Sequence, residues 1–185
     1  MQKVFMSDLR IVLLGKNGSE NRRVGNTILG ITAFHSEAQS YSQQHSERIS
    51  GEVEKRHITV INTHLLQSHL SQQQITQGLR ECVSLSAPGP YVFILVLQYK
   101  DFSENHRRTV KNVLELFSKQ AMKHTIVLTT DEETRTSKLT SMIWNNAIRD
   151  LIKECGGGHL QFDIVNTGWR SEIVRKTKEI FKKKT

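Results

Sequence analysis

Residues 9–30 have the sequence LRIVLLGKNGSENRRVGNTILG, and the order of residue types in this stretch decides the fold. Residues 9–14 form a run that is apolar except for Arg10 and ends at Gly15, the pattern of a buried β-strand that enters a loop. Residues 26–29 are typical of the first turns of a helix. In α/β domains that bind nucleotides, the glycine-rich loop lies between such a strand and such a helix. The stretch therefore predicts an α/β domain whose first loop is the candidate site.

Strand-like apolar runs recur along the chain and alternate with helical patterns. Strands are predicted at residues 57–61, 91–97, 125–128 and 160–165, and helices at 70–84, 103–117, 139–155 and 169–181, with Ser103 as the N-cap of the second of these helices. Strands that are apolar throughout are buried on both faces, which favours a mainly parallel sheet covered by helices. We therefore expect a three-layer, doubly wound α/β fold. The polar residues 36–48 are predicted to form a loop.

The composition favours one cytoplasmic domain. With 185 residues the chain can bury a proper core, and we expect a single domain over residues 1–185, with its core at about 9–181 and a short basic C-terminal tail. The longest apolar run, residues 91–97, is too short to span a membrane, and the start MQKVFMSDLR has no signal-like apolar region. Cys82 and Cys155 form no Cys-x-x-Cys pair and are expected to be reduced packing residues.

The charge raises the question of an anionic partner. Lys and Arg total 26 against 18 Asp and Glu, a formal net charge of +8. Lysines cluster near the C-terminus, at Lys176, Lys178, Lys182, Lys183 and Lys184. Aromatic residues are sparse among them and no RNA- or DNA-binding motif is present, so we expect a solvated basic face and no nucleic-acid partner.

The loop after the first strand departs from the phosphate-binding pattern. That pattern requires a glycine, four residues, and then Gly-Lys-Ser/Thr. Counted from Gly15, these last three positions hold Glu20, Asn21 and Arg22. A carboxylate at Glu20 repels phosphate, Asn21 supplies no cation for the β- and γ-phosphates, and Arg22 cannot ligate Mg²⁺ as a hydroxyl does.

The backbone of the loop still offers an anion site. Gly15, Gly18 and the start of the helix can form a nest of amide donors, and Arg22 and Arg23 restore some positive charge. The candidate nucleotide-binding residues are therefore Gly15, Lys16, Asn17, Gly18, Ser19, Glu20, Asn21, Arg22 and Arg23. No catalytic Ser-His-Asp set and no metal-ligating spacing is recognisable, so no catalytic residue and no metal ligand is predicted.

Two segments carry a resemblance to a known family. Residues 15–30 resemble the first motif of the immunity-associated GTPases (the GIMAP or AIG-type family), G-K-T-G-[AS]-G-K-S-A-T-G-N-[ST]-I-L-G. Residues 85–98, LSAPGPYVFILVLQ, resemble the hallmark segment that this family carries between its third and fourth nucleotide motifs. The resemblance covers about residues 9–181 and implies an AIG-type G domain, with the P-loop NTPase (G-domain) fold.

The resemblance also locates the other nucleotide motifs. The family's D-T-P-G motif corresponds to residues 62–65, so that Asn62 stands for the aspartate of the Mg²⁺ shell and Leu65 for the glycine that contacts the γ-phosphate. Ser42 corresponds to the threonine of the first switch. For the carboxylate that reads guanine, a simple alignment gives Glu133, with Asp131 as the alternative if the loop is shortened, and Thr130 lies beside them.

Two functions follow from these residues. The first is a guanine-nucleotide-binding G domain with eroded P-loop and switch motifs, which binds GDP or GTP weakly and has little or no hydrolytic activity. The second is a nucleotide-free pseudo-GTPase that acts as an interaction or assembly module, as a homodimer or a heterodimer with related G domains. The loss of the P-loop lysine and hydroxyl, together with the switch aspartate and glycine, argues against Mg²⁺ and against hydrolysis.

Overall fold

The computed structural model describes residues 8–30, 46–53, 55–66, 70–86, 92–131 and 138–182. The strands are β1 (Asp8–Leu14), β2 (Ser46–Val53), β3 (Arg56–Thr63), β4 (Val92–Leu97), β5 (Thr125–Thr129) and β6 (His159–Gln161). The helices are α1 (Gly18–Leu29), α2 (Gln72–Ser86), α3 (Glu104–Phe117), α4 (Lys138–Glu154) and α5 (Gly168–Lys182), and short 3-10 turns occupy Tyr99–Asp101 and Ala121–His124. No helix in these ranges is both long and apolar enough to cross a membrane.

The six strands form one sheet in the order β2-β3-β1-β4-β5-β6. Strand β1 pairs with β3 in parallel, and so does β5 with β6, whereas β2 pairs with β3 antiparallel. Some neighbouring strands, such as β3 and β1, are not consecutive in the sequence, and helices form the crossover connections. The predicted doubly wound, mainly parallel fold is confirmed.

The chain divides into two compact units, residues 1–94 and 95–185. In the first unit, Ile11, Val12, Leu13 and Leu14 of β1 are fully buried, as expected for a strand covered on both faces. Helix α1 packs Val24, Ile28 and Leu29 inward and ends at Gly30, whose φ of 71° is the left-handed conformation typical of a glycine helix cap.

In the second unit, a glycine pair fixes the entry into β6. The backbone N–H of Gly156 donates to Met122 O at 3.0 Å, and that of Gly157 donates to Thr125 O at 2.9 Å. A Cβ atom at Gly157 would lie only 2.6 Å from the same Thr125 oxygen. Close approach of two backbones therefore requires glycine at this point.

Three predicted boundaries are corrected by the structure. Helix α1 begins at Gly18 rather than near residue 26, because Asn17 caps it. Residues 46–48, predicted as part of a loop, begin β2, while residues 36–45 lie outside the described parts. Strand β6 ends at Gln161 rather than continuing to residue 165, because the Asp163 side chain accepts hydrogen bonds from the backbone of Val165 and Asn166 and forms a turn.

Other expectations are confirmed. Ser103 is the N-cap of α3 and accepts a hydrogen bond from the His106 backbone. Cys82 and Cys155 are buried and form no disulfide, and burial raises the pKa of each thiol to about 12, which makes them packing residues.

Candidate functional site

The phosphate-loop candidate is closed by its own asparagine. The Asn17 Oδ1 atom accepts hydrogen bonds from the backbone N–H groups of Ser19, at 3.1 Å, and Glu20, at 3.2 Å, and from Ser19 Oγ, at 2.7 Å. Amides at the start of a helix are the groups that would otherwise bind an anion. Residues 18–20, which the P-loop pattern places in a loop, are here the first turn of α1. Any phosphate at this point must displace the Asn17 carboxamide.

Asn21, at the position of the P-loop lysine, is a structural residue in this chain. Its side chain is fully buried, and its Nδ2 atom donates to the carbonyl of Gly15 at 3.1 Å. Its backbone N–H donates to Asn17 O at 3.0 Å. The neutral amide of Asn21 thus ties Gly15, the residue that follows β1, to helix α1. The Asn21 Oδ1 atom has no hydrogen-bond partner among the described residues.

Two arginines of α1 have different environments. Arg23 is exposed and pairs with Glu20 at 2.9 Å, so the acid that would repel phosphate is matched by a local cation. Arg22 turns toward Gly18: its Nη1 atom lies 3.3 Å from the position that a Cβ at Gly18 would take. The Arg22 Nε atom is buried without a partner among the described residues.

A second polar group lies at the end of β3, in the same unit. Asn62 is fully buried, and neither atom of its amide has a hydrogen-bond partner in the described parts of the chain. The residue opposite Asn62 on β2 is Glu47, whose Oε1 atom lies 3.7 Å from His64 Nε2. The His64 ring in turn approaches Gly18, with Cε1 3.6 Å from the Cβ position there.

Glu47 and His64 are site neighbours that the residue patterns do not predict. Glu47 lies in the first three residues of β2, which the sequence predicts as the end of a loop, and its place opposite Asn62 depends on the antiparallel register. His64 falls inside the degenerate D-T-P-G segment, and that position was the available signal for it. Leu65, at the last position of this segment, is 1% exposed and belongs to the core. Ser42 lies outside the described residues.

The base-reading candidates belong to the second unit. Both carboxylate oxygens of Asp131 are engaged by backbone N–H groups: Oδ1 accepts from Tyr99 at 2.7 Å and Oδ2 from Lys100 at 3.2 Å. The carboxylate therefore holds the Tyr99–Asp101 turn. Thr130 donates its backbone N–H to Leu97 O at 3.0 Å, and its buried Oγ1 has no partner within the described ranges. Glu133 lies outside those ranges.

A network of polar side chains supports this loop from β5 and β6. Thr129 Oγ1 lies 2.8 Å from His159 Nε2 and donates to Gln161 Oε1 at 2.7 Å. Gln161 Nε2 then donates to the backbone carbonyl of Asp131 at 3.1 Å. The loop end is thus held by hydrogen bonds within the protein.

The sheet order, with a first strand followed by a loop and a helix, is that of a G domain, the α/β domain of the P-loop GTPase class. The sequence model of the AIG1 family matches residues 9–183. The chain belongs to the AIG1 family. A curated relative, GTPase IMAP family member 8 of Rattus norvegicus, is 36% identical over 131 residues, which are 69% of this chain and 19% of that protein. The chain thus spans about a fifth of that relative's length.

Solved structures show the same fold. Toc33 from Arabidopsis thaliana, in complex with Mg²⁺ and GMPPNP, matches with a TM-score of 0.71 at 11% identity, over 97% of this chain and 86% of that chain. A structure of the chloroplast translocon components atToc33 and psToc159, for whose GTPase activity dimerization is important, matches with a TM-score of 0.69 at 12% identity, over 97% of this chain and 85% of that chain. At these identities the likeness establishes the fold.

Mg²⁺ is the metal that this class of fold implies, and the residues present do not fit it. The position of the ligating hydroxyl holds Arg22, a permanent cation, and the position of the aspartate holds the neutral Asn62. The described residues contain no group of three or more His, Cys, Asp or Glu arranged to hold a metal ion. No chemistry of this chain is therefore derived through Mg²⁺.

Proposed function

We propose that this chain is a G domain that binds GDP or GTP weakly and does not hydrolyse GTP. The observation that carries the proposal is the capped start of α1, where Asn17 occupies the amides of Ser19 and Glu20. Membership of the AIG1 family supports a guanine nucleotide as the ligand class, since the rat relative is named a GTPase and Toc33 holds GMPPNP. Cys82 and Cys155 form no disulfide, which supports a reducing compartment, and we propose the cytoplasm as the location.

Weak binding follows from competition within the protein. A phosphate must replace the carboxamide oxygen of Asn17, so its hydrogen bonds are exchanged for existing ones and contribute little net free energy. Hydrolysis requires more, because phosphoryl transfer depends on positioned cations around the γ-phosphate. Asn21 is buried and neutral, and Asn62 cannot hold a metal shell as an aspartate does.

A second candidate function is a nucleotide-free module that assembles with related G domains. The observation that favours it is that two of the candidate ligand-binding groups make their hydrogen bonds within the protein: Asn17 caps α1, and Asp131 holds the Tyr99–Asp101 turn. Neither of these two side chains needs a ligand to complete its hydrogen bonds. Dimerization is important for GTPase activity in atToc33 and psToc159, which makes a homodimer or a mixed dimer the partner to test.

Titration with fluorescent GDP and GTP separates the candidates. We expect dissociation constants weaker than about 10 μM and no phosphate release above that of buffer. Tight, Mg²⁺-dependent GTP binding with turnover would refute the proposal. No binding at about 1 mM nucleotide would leave the assembly module, which sedimentation of the chain alone and mixed with a related G domain then tests.

The variant Asn17→Gly sharpens the titration. Glycine is tolerated at a helix N-cap, so the helix persists while the Ser19 and Glu20 amides become available. We expect this variant to bind nucleotide more tightly than the native chain. An equal affinity would show that the asparagine cap does not limit binding.

A further inference from the structure

The side chain of Arg22 is directed to the start of its own helix. The guanidinium Nη1 atom lies against Gly18, the first residue of α1, where a helix favours negative charge. The Nε–H group is buried and has no acceptor among the described residues. Arg23, next in sequence, instead lies on the exposed side and pairs with Glu20. The Arg22 Nε–H is therefore a buried donor without an acceptor among the described residues, on a side chain that is itself half-buried.

Asn62 provides an independent second observation on the same side of the sheet. Glu47 and Gly51 share one face of β2, and a Cβ at Gly51 would contact Leu29 of α1 at 3.5 Å. Asn62 is paired with Glu47, so its side chain lies on this α1-facing side. It is fully buried with both amide atoms unpartnered in the described structure. Buried polar atoms of this kind indicate a bound water, ion or ligand.

The charges around these groups favour an oxyanion over a metal cation. Among the three positions that a P-loop GTPase uses for its lysine, its metal-binding hydroxyl and its switch aspartate, the charge is carried by Arg22 alone. Glu47 is the acid beside them, and it is approached by His64 at 3.7 Å. A guanidinium binds phosphate through two parallel N–H···O bonds, and it repels a divalent cation.

We infer that Arg22 takes the place of the divalent cation, so that phosphate oxygens of the nucleotide bind to this site without Mg²⁺. The Arg22 guanidinium and the Asn62 amide N–H groups donate to the phosphate, and the amides at the start of α1 join them once Asn17 is displaced. This inference rests on the proposed nucleotide binding and specifies how the phosphate is held.

Binding of fluorescent GDP, measured in EDTA and in excess Mg²⁺, tests the inference. We expect the two dissociation constants of the native chain to agree within about two-fold, since no metal-dependent contact is made. Arg22→Ser should bind at least about ten-fold more weakly in EDTA, because it loses a charge-assisted hydrogen bond. Arg22→Lys keeps the charge but not the planar fork, so its affinity for GDP in EDTA should lie between those of the native chain and Arg22→Ser.

Two controls accompany these variants. Arg48→Ser removes the same charge from an exposed position of β2 in the same unit and should bind as the native chain does. Competition by inorganic pyrophosphate separates the phosphate contact from the base: displacement of fluorescent GDP supports the inference, and displacement by GDP but not by pyrophosphate contradicts it. A cooperative thermal unfolding transition establishes that each variant is folded. If Arg22→Ser does not fold, the comparison of Arg22→Lys with the native chain is the test.

The failures are distinguishable. Binding of native chain that is ten-fold tighter with Mg²⁺ overturns the role of Arg22 and leaves weak nucleotide binding standing. Unchanged affinity in both Arg22 variants overturns it as well. No binding by the native chain in either buffer refutes the inference together with nucleotide binding, and the assembly module remains.

Discussion

Replacement of Asn62 by valine should stabilise the protein. Asn62 is completely buried in β3, between Leu13 on β1 and Glu47 on β2, and neither its Oδ1 nor its Nδ2 atom is hydrogen-bonded to a described residue. A buried polar group left without a partner costs about 1–3 kcal/mol. Valine is similar in size and its branched side chain suits a strand, so the Asn62→Val variant removes this cost with little steric change.

The size of the effect follows from these terms. We take about 1–2 kcal/mol as the net gain, because part of the benefit is offset by imperfect packing of the new side chain. For a domain of this length, each kcal/mol shifts the unfolding midpoint by about 2–4 °C. The midpoint of Asn62→Val should therefore rise by about 2–8 °C, measured by circular dichroism in phosphate-free buffer without nucleotide.

Thr59→Val is the matched control. Thr59 lies in the same strand and is buried, but its Oγ1 lies 2.9 Å from Ser50 Oγ and is hydrogen-bonded. Its replacement should lower stability by about 0.5–1.5 kcal/mol. If Asn62→Val unfolds at a lower temperature than the native chain, the Asn62 amide makes favourable hydrogen bonds in the free protein, and the reasoning about an unpartnered ligand-binding group fails.

Three other changes test separate parts of the structure. Gly157→Ala places a Cβ 2.6 Å from a β5 carbonyl oxygen and should cost about 1–3 kcal/mol, seen as a lower unfolding midpoint, whereas Gly168→Ala, with nothing within 4 Å, should not. Asn17→Ala removes the cap of α1 and should cost about 1 kcal/mol in a urea titration; no loss would show that the cap bonds contribute nothing. A hydrogen bond from Lys111 lowers the pKa of Glu154 below 4.5, so its stabilisation is complete above that pH and is lost as pH falls through the lowered value. Between pH 7 and pH 3, the free energy of unfolding should fall less in Glu154→Gln than in the native chain, with a difference under about 1 kcal/mol. Equal decreases in urea titrations at the two pH values would contradict a stabilising ion pair.

The sequence was sufficient for the elements whose residues are buried on both faces. β4 is apolar throughout, and β1 and β5 contain the apolar runs 11–14 and 126–128, so their strands follow directly. The polar strand β2 was not predicted, because it is an edge strand whose buried and more exposed residues alternate weakly. Its place in the sheet comes from pairing with β3, a long-range interaction that local patterns do not encode.

The candidate site was predictable in its residue types and not in its geometry. Spacing from Gly15 identified Asn21 and Arg22, and the family resemblance identified Asn62. The contact of His64 with Glu47 depends on the register of β2, which the sequence did not provide. Likewise, Asp131 was considered as a base reader from its position, but hydrogen bonds to residues more than thirty positions earlier decide what its carboxylate does.

The departures from the P-loop pattern act together on the backbone. With Asn17 as N-cap, the helix begins at Gly18 and includes Glu20, which the pattern requires to be a glycine in the loop. Once the helix includes these residues, residue 21 is buried and turned back to Gly15, where a small neutral amide fits and donates to a carbonyl. Replacing Asn21 by lysine alone would therefore bury a charge in a closed turn, where it costs several kcal/mol unless it is paired. The departure from the P-loop pattern is thus a property of the whole strand–loop–helix connection, and Arg22 directs positive charge at the start of α1.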